Sequence, residues 1–131
     1  MALYLVILLD TNALVHALTK PALLASGIRK QLETSSEVYV SSLSFLEIAV
    51  KERILGRSPA DFIGFAQRSN FHELPFCAKD ASHIGDFAAL QGHDPFDRAI
   101  LAQASRNSAI LITADKKLLA LGLSWVYDSQ D

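Results

Sequence analysis

Leu8-Leu9-Asp10-Thr11-Asn12 is the stretch that decides the fold, because an apolar run stops there and the chain's first carboxylate stands at the break. The residues before it, Leu3 to Leu9 (LYLVILL), are continuously apolar, which suits a strand buried on both faces of a parallel sheet. Asp10 then falls at the carboxyl end of that strand, and open α/β sheets bind ligands in the crevice outside those ends. The same residue also suits the cap of a helix starting near Ala13, since Asp, Thr and Asn are preferred capping residues. Other acids arriving at the same point would favour chemistry over capping.

The bulk of the sequence sets bounds. A chain of 131 residues matches the size of one domain, so residues 1–131 are expected to form a single unit with a sizeable core. Half of the residues are apolar and a fifth are charged, a balance that excludes a disordered chain. The formal charge of -2 gives no global basic signature, so attraction to nucleic acid has to come from local Lys and Arg or from a bound cation. The one cysteine, Cys77, rules out an internal disulfide framework and a thiolate metal cluster; it reads as a small buried hydrophobe. The apolar N-terminal run lacks a positive flank, and Asp10 cuts it far short of the roughly 20 residues that span a bilayer, so a cytoplasmic protein is expected.

Along the chain, strands and helices alternate. A short helix is expected from Ala13 to Leu18, ended by Pro21, and a second from Ala22 to Glu33 with Leu24, Ile28 and Leu32 on its apolar face. Glu37 to Ser42 (EVYVSS) reads as the second strand and Leu43 to Leu55 as the third helix, stopped by Gly56. Glu47 lies among apolar neighbours there, and Ser44 with Glu47 has the spacing of a capping box. Ser58-Pro59 opens a helix to about Ser69, Phe71 to Phe76 is a third strand that Pro75 restricts to an edge, and Asp80 to Leu90 reads as a fifth helix before Gly92. His72 and His83 are isolated and read as satisfied or solvated. Phe62, Phe65 and Phe71 suit core packing, with an interface as the other possibility.

His93-Asp94-Pro95-Phe96-Asp97-Arg98 then leads into the helical run AILAQAS. Asp94 as cap, Pro95 at the first position and Asp97 in the first turn make a strong helix start, and two acids in one turn also make a place to hold a cation. Ser108 to Thr113 (SAILIT) is a fourth strand that ends, like the first, in a polar break, here Thr113-Ala114-Asp115. A short helix from Lys116 to Ala120 and a fifth strand within Ser124 to Tyr127 complete the pattern.

This alternation predicts a three-layer α/β/α sandwich, a central parallel sheet of four to five strands flanked by helices. If the first and fourth strands are neighbours, Asp10 and Asp115 lie side by side at the switch point, and Glu47 and Asp97 can lean over the same edge. Four carboxylates so placed raise one another's pKa, and a divalent cation relieves the repulsion. Oxygen donors without Cys or a spaced His pair favour Mg2+ or Mn2+ over Zn2+, and the chemistry of such a site is phosphodiester hydrolysis. Thr11 or Thr113 could orient a water or a ligand carboxylate.

The succession LLDTNALVHAL, SSLSFLEIAVK, HDPFDRAILAQA and ILITADKKL resembles the PIN domain and, within it, the VapC-type toxins of VapBC toxin-antitoxin systems. The resemblance covers Leu8 to Leu118 with the motifs in the family's order. It implies a PIN-like fold and a metal-dependent endoribonuclease, commonly a homodimer, neutralised by a VapB-like antitoxin that covers the active site. The family's four acids fall on Asp10, Glu47, Asp97 and Asp115, with Asp10, Asp97 and Asp115 as metal ligands. Thr113 matches the hydroxyl residue two before the fourth acid, Thr11 supports the site, and Asp94 belongs to the DPFDR form of a subgroup. Arg98, Lys116 and Lys51 stand nearest these motifs as candidate RNA contacts, within a wider set that includes Arg29, Lys30, Arg53, Arg57 and Lys117.

Two rivals compete. A phosphatase of the haloacid-dehalogenase type would want an Asp two residues after Asp10, where Asn12 stands. A catalytically silent PIN-like module that binds RNA or a protein partner would gain nothing from clustered buried carboxylates.

Overall fold

The computed structural model of the chain describes residues 5–130. Five parallel strands, β1 (Ile7–Leu9), β2 (Val38–Ser41), β3 (His72–Leu74), β4 (Ile110–Thr113) and β5 (Val126–Asp128), form one sheet in the order β3-β2-β1-β4-β5. β1 is therefore central, and the strand order reverses between it and β4. In register, Leu9 lies opposite both Val40 and Ile112, so the residue after each strand end opens onto the same edge. Residues Leu3 and Tyr4 of the expected first strand lie outside the described residues.

The helices are α1 (Thr11–Thr19), α2 (Ser26–Thr34), α3 (Ser42–Val50), α4 (Glu52–Leu55), α5 (Pro59–Arg68), α6 (Ala78–Ser82), α7 (Pro95–Arg106) and α8 (Lys116–Leu119). They cover both faces of the sheet, which explains the near-continuous apolar runs of β1 and β4. Ile7, Leu9, Val38, Val40 and Ile112 pack with Leu14, Ile28, Ile48 and Phe62 on one face. Leu8 and Leu111 pack with Ile100, Leu101, Ala104 and Leu118 on the other. Phe62 is fully buried, and Phe65 and Phe71 pack half-buried against the same cluster, so core packing accounts for all three. β3 is the edge strand that Pro75 foretells.

Four expectations are corrected. The span Asp80 to Leu90 is not one helix: α6 ends at Ser82, and two single 3-10 turns follow, Ile84–Asp86 and Ala88–Leu90. Gly85 weakens helix propagation there, and His83 pairs with Asp86 at 2.9 Å, a local contact that replaces helical bonding. The third helix breaks at Lys51 into α3 and α4. Ser44 and Glu47 form no capping box, because α3 starts earlier, with Ser41 as its cap accepting from the Leu43 N–H. Cys77 is exposed, since it stands in the loop that leaves the edge strand and caps α6. His72 reaches the Ser36 carbonyl at 3.1 Å and is satisfied.

Candidate active site

Asp10 leaves β1 with its backbone still in the ladder, its N–H donating to the Ile112 carbonyl at 3.1 Å. Its side chain is 2% exposed and caps α1, one oxygen accepting from the Ala13 N–H at 2.8 Å. The other oxygen accepts from the Thr113 hydroxyl. Thr113 in turn accepts from the Asp115 N–H at 2.9 Å, so one buried hydroxyl ties the ends of β1 and β4 together. Capping and site-building are thus the same act at Asp10. Burial pushes its carboxyl up to about 6, against the Thr113 and Ala13 hydrogen bonds and with the added repulsion of Glu47 and Asp115.

Glu47 arrives from the second turn of α3, 4% exposed, with its Oε2 held by the Lys51 ammonium at 2.6 Å. Its Oε1 is buried and has no hydrogen-bond partner among the described residues. A buried carboxylate oxygen with nothing to accept from costs stability. Lys51 is the cation nearest the acids; Asp94 and Asp97 also act on its charge.

α7 and the short turn before α8 supply the other two acids. Asp94 caps α7, accepting from the N–H of Phe96 at 2.8 Å and of Asp97 at 3.3 Å. The structure gives it that capping role and a charge that acts on Asp97. Asp97 projects from the first turn and is pushed up to about 8 by burial, by the Asp94 charge, by a hydrogen bond to Asp115, and by the Asp115 and Asp10 charges. Burial and the neighbouring carboxylates disfavour its ionised form. Asp115 is held below the usual carboxylate range: burial opposes ionisation, but the Leu118 N–H, His93, Asp97 and the Lys117 N–H outweigh it. Asp10, Glu47, Asp97 and Asp115 therefore act on one another at a single edge, as the sequence predicts.

The Thr11 hydroxyl is taken up by a contact between helices. It donates to the Ser44 hydroxyl at 3.0 Å, joining α1 to α3. Lys116 is exposed in the turn after Asp115, and Arg98 is half-buried with its Nε unpartnered; neither forms an ion pair among the described residues.

His93 is the residue sequence reasoning missed. Its Nε2 lies 3.1 Å from Asp115 and 3.4 Å from Asp97. One ligand atom each from His93, Asp97 and Asp115 lie within 4.8 Å of one another. The available signal was its position four residues before Asp97, but His93 precedes the helix, so helical spacing does not reveal it. Gly92, at φ +86°, makes the backbone reversal that brings His93 back to the crevice.

The donor set fits a hard divalent cation. The carboxylates are oxygen donors, burial and neighbouring carboxylates push Asp10 and Asp97 up, and Glu47 Oε1 lacks a partner among the described residues.

An open, doubly wound parallel sheet with an acidic crevice at its switch point defines the class of the molecule. The chain belongs to the PIN-domain family, whose model matches residues 7–122. Its fold is similar to that of a chain in a toxin-antitoxin complex from Klebsiella pneumoniae, with 21% identity over 91% of this chain and 93% of that chain and a TM-score of 0.63. It is also similar to VapBC2 from Rickettsia felis, solved bound to a promoter DNA fragment, with 17% identity, 95% and 97% covered, and a TM-score of 0.67. A third likeness is to FitAcB from Neisseria gonorrhoeae, with 21% identity, 92% and 96% covered, and a TM-score of 0.59. Comparison with curated proteins returns no match. Among the described residues no helix is long and apolar enough to cross a membrane.

Proposed function

We propose that the protein is a Mg2+- or Mn2+-dependent endoribonuclease and the toxin of a type II toxin-antitoxin pair. The observation that supports this most directly is that Asp10, Glu47, Asp97 and Asp115 meet at one sheet edge with a single ammonium, that of Lys51, paired to them among the described residues. Asp10, Asp97 and Asp115 would hold the metal, which when bound supplies charge neutralisation and an acidified water for phosphodiester hydrolysis. Thr113 fixes the rotamer of Asp10, and His93 orients Asp97 and Asp115. Glu47, with Oε1 free, accepts the proton of a water in the crevice, while Lys51 anchors its other oxygen. Lys51, Lys116 and Arg98 are the nearest cations for the phosphates of a bound strand.

The relatives named above as toxin-antitoxin complexes support a protein partner here as well. Leu46 and Val50 on α3 are 52% and 68% exposed, an apolar stripe beside Glu47 that suits an antitoxin segment. The same reading includes a homodimer, which sedimentation at micromolar concentration checks. The test of function is cleavage of varied RNAs with Mn2+, by the native protein and by Asp10→Asn. Cleavage that Asp10→Asn abolishes supports the reading. Absence of cleavage by the native protein assigns the chain to a silent binding module instead.

A further inference from the structure

Within the metal centre proposed above, on which this step rests, we infer that His93 is itself a ligand. Its Nε2 completes a donor set with Asp97 and Asp115, and that nitrogen makes the centre prefer a first-row transition-metal ion such as Mn2+ to Mg2+. The three donors come from separate pieces of chain. The His93 N–H donates to the Leu90 carbonyl at 2.9 Å, closing the turn through Gly92 that precedes α7. Asp97 stands in the first turn of α7. Asp115 divides its oxygens: Oδ1 accepts from the Lys117 and Leu118 N–H groups at 2.8 Å and 3.1 Å and caps α8, which leaves Oδ2 for His93.

Nε2 lies 3.1 Å from Asp115 Oδ2 and 3.4 Å from Asp97 Oδ2. Two donors at right angles around an octahedral cation with bonds of about 2.1 Å stand about 3.0 Å apart, so the spacing fits one shared ion. A neutral imidazole carries a lone pair at one ring nitrogen and an N–H at the other; with the proton on Nδ1, the Nε2 lone pair is on the carboxylate side. All three residues are partly buried, which shelters an ion while water keeps access. Mg2+ takes oxygen donors and gives up its waters reluctantly, whereas first-row transition ions accept imidazole. Carboxylates alone leave Mg2+ and Mn2+ equivalent; the His93 nitrogen separates them. The exposed pair of His83 and Asp86, 2.9 Å apart, has no third donor among the described residues.

Electron spin-echo spectroscopy of the Mn2+-loaded protein tests the ligation, because a coordinated imidazole nitrogen imprints its modulation on the echo. The native protein should show that modulation, His93→Gln should lose it, and His83→Gln should keep it. Calorimetric titration with Mn2+ and with Mg2+ tests the preference. His93→Gln should weaken Mn2+ binding about tenfold and leave Mg2+ binding within about twofold of native. Loss of a group that only orients the carboxylates would weaken both ions alike. A native protein that takes up no Mn2+, an echo without nitrogen modulation, modulation that follows His83 instead of His93, or equal weakening of both ions overturns the inference. The native echo decides the ligation even where His93→Gln fails to fold. The ribonuclease reading fails separately: a protein that binds Mn2+ through His93 but cuts no RNA keeps the inference and loses the activity, and one that cuts RNA with Mn2+ held by oxygens alone does the reverse.

Discussion

The molecule buries acids in two places and treats them oppositely. Asp80, 0% exposed, comes with its own cation: the Arg106 guanidinium binds one carboxylate oxygen, and the Cys77 N–H donates to the other at 2.8 Å. Burial works to raise its pKa, yet Arg106 and Cys77 outweigh burial and hold it below the usual carboxylate range. At the switch point, Asp10 and Asp97 are pushed up to about 6 and about 8, and Glu47 keeps one oxygen without a partner. A buried acid that serves the fold is closed by a side chain; acids left open are arranged to receive something from outside.

Substitutions separate the two places. Asp10→Asn should lower RNA cleavage by at least about a thousandfold, as expected when one member of a concerted site is removed. The same change should stabilise the metal-free protein by up to ~3 kcal/mol in denaturant titrations, because it deletes a charge whose pKa burial raises from 3.8 to about 6. Arg106→Ala should do the reverse. It strands the Asp80 charge and should lower the denaturation midpoint, while cleavage per folded molecule stays unchanged.

The pH dependence of stability linked to Asp10 and Asp97 has the opposite sign to that linked to Asp80 and Asp115. Folded pKa values of about 6 and about 8 lie above the model-peptide value of 3.8, so the stability linked to Asp10 and Asp97 is complete below 3.8 and lost as pH rises towards 8. Asp80 has a depressed pKa, so its contribution is present above 3.8 and lost as pH falls below that value. Metal-free unfolding followed from pH 8 downward should therefore show stability rising to a maximum near pH 4–5 and then falling. Saturating Mg2+ should flatten the upper limb alone. The smallest effect is expected at His93: His93→Gln should weaken Mn2+ binding about tenfold, the usual cost of losing a group that orients ligands. Calorimetric titration reads it directly.

How much of this was legible in the sequence follows from the range of each interaction. The apolar runs ending at Asp10 and Asp115 announce buried strands with acids at their carboxyl ends, and β1 and β4 are neighbours, the condition under which the two acids meet. Pro75 places β3 at an edge, and Asp94-Pro95 starts α7 as capping chemistry dictates. Interactions set by the tertiary fold were not legible. Thr11 and Thr113 look alike on paper, yet one joins helices and the other bridges two acids. Asp80 reads as an ordinary acid near a helix start until Arg106 arrives from the last turn of α7. Glu47 reads as a capping-box acid because Ser44 stands three residues before it, but the cap is Ser41, three residues earlier still.

The central claim is that the acids at the switch point form one cation site. Thermal unfolding of the native protein and of Asp10→Asn, at pH 7 with and without millimolar Mn2+, tests it most directly. The account predicts that Mn2+ raises the Tm of the native protein by about 5–10 °C and leaves that of Asp10→Asn nearly unmoved. A native Tm indifferent to Mn2+, or an equal rise in both proteins, contradicts it.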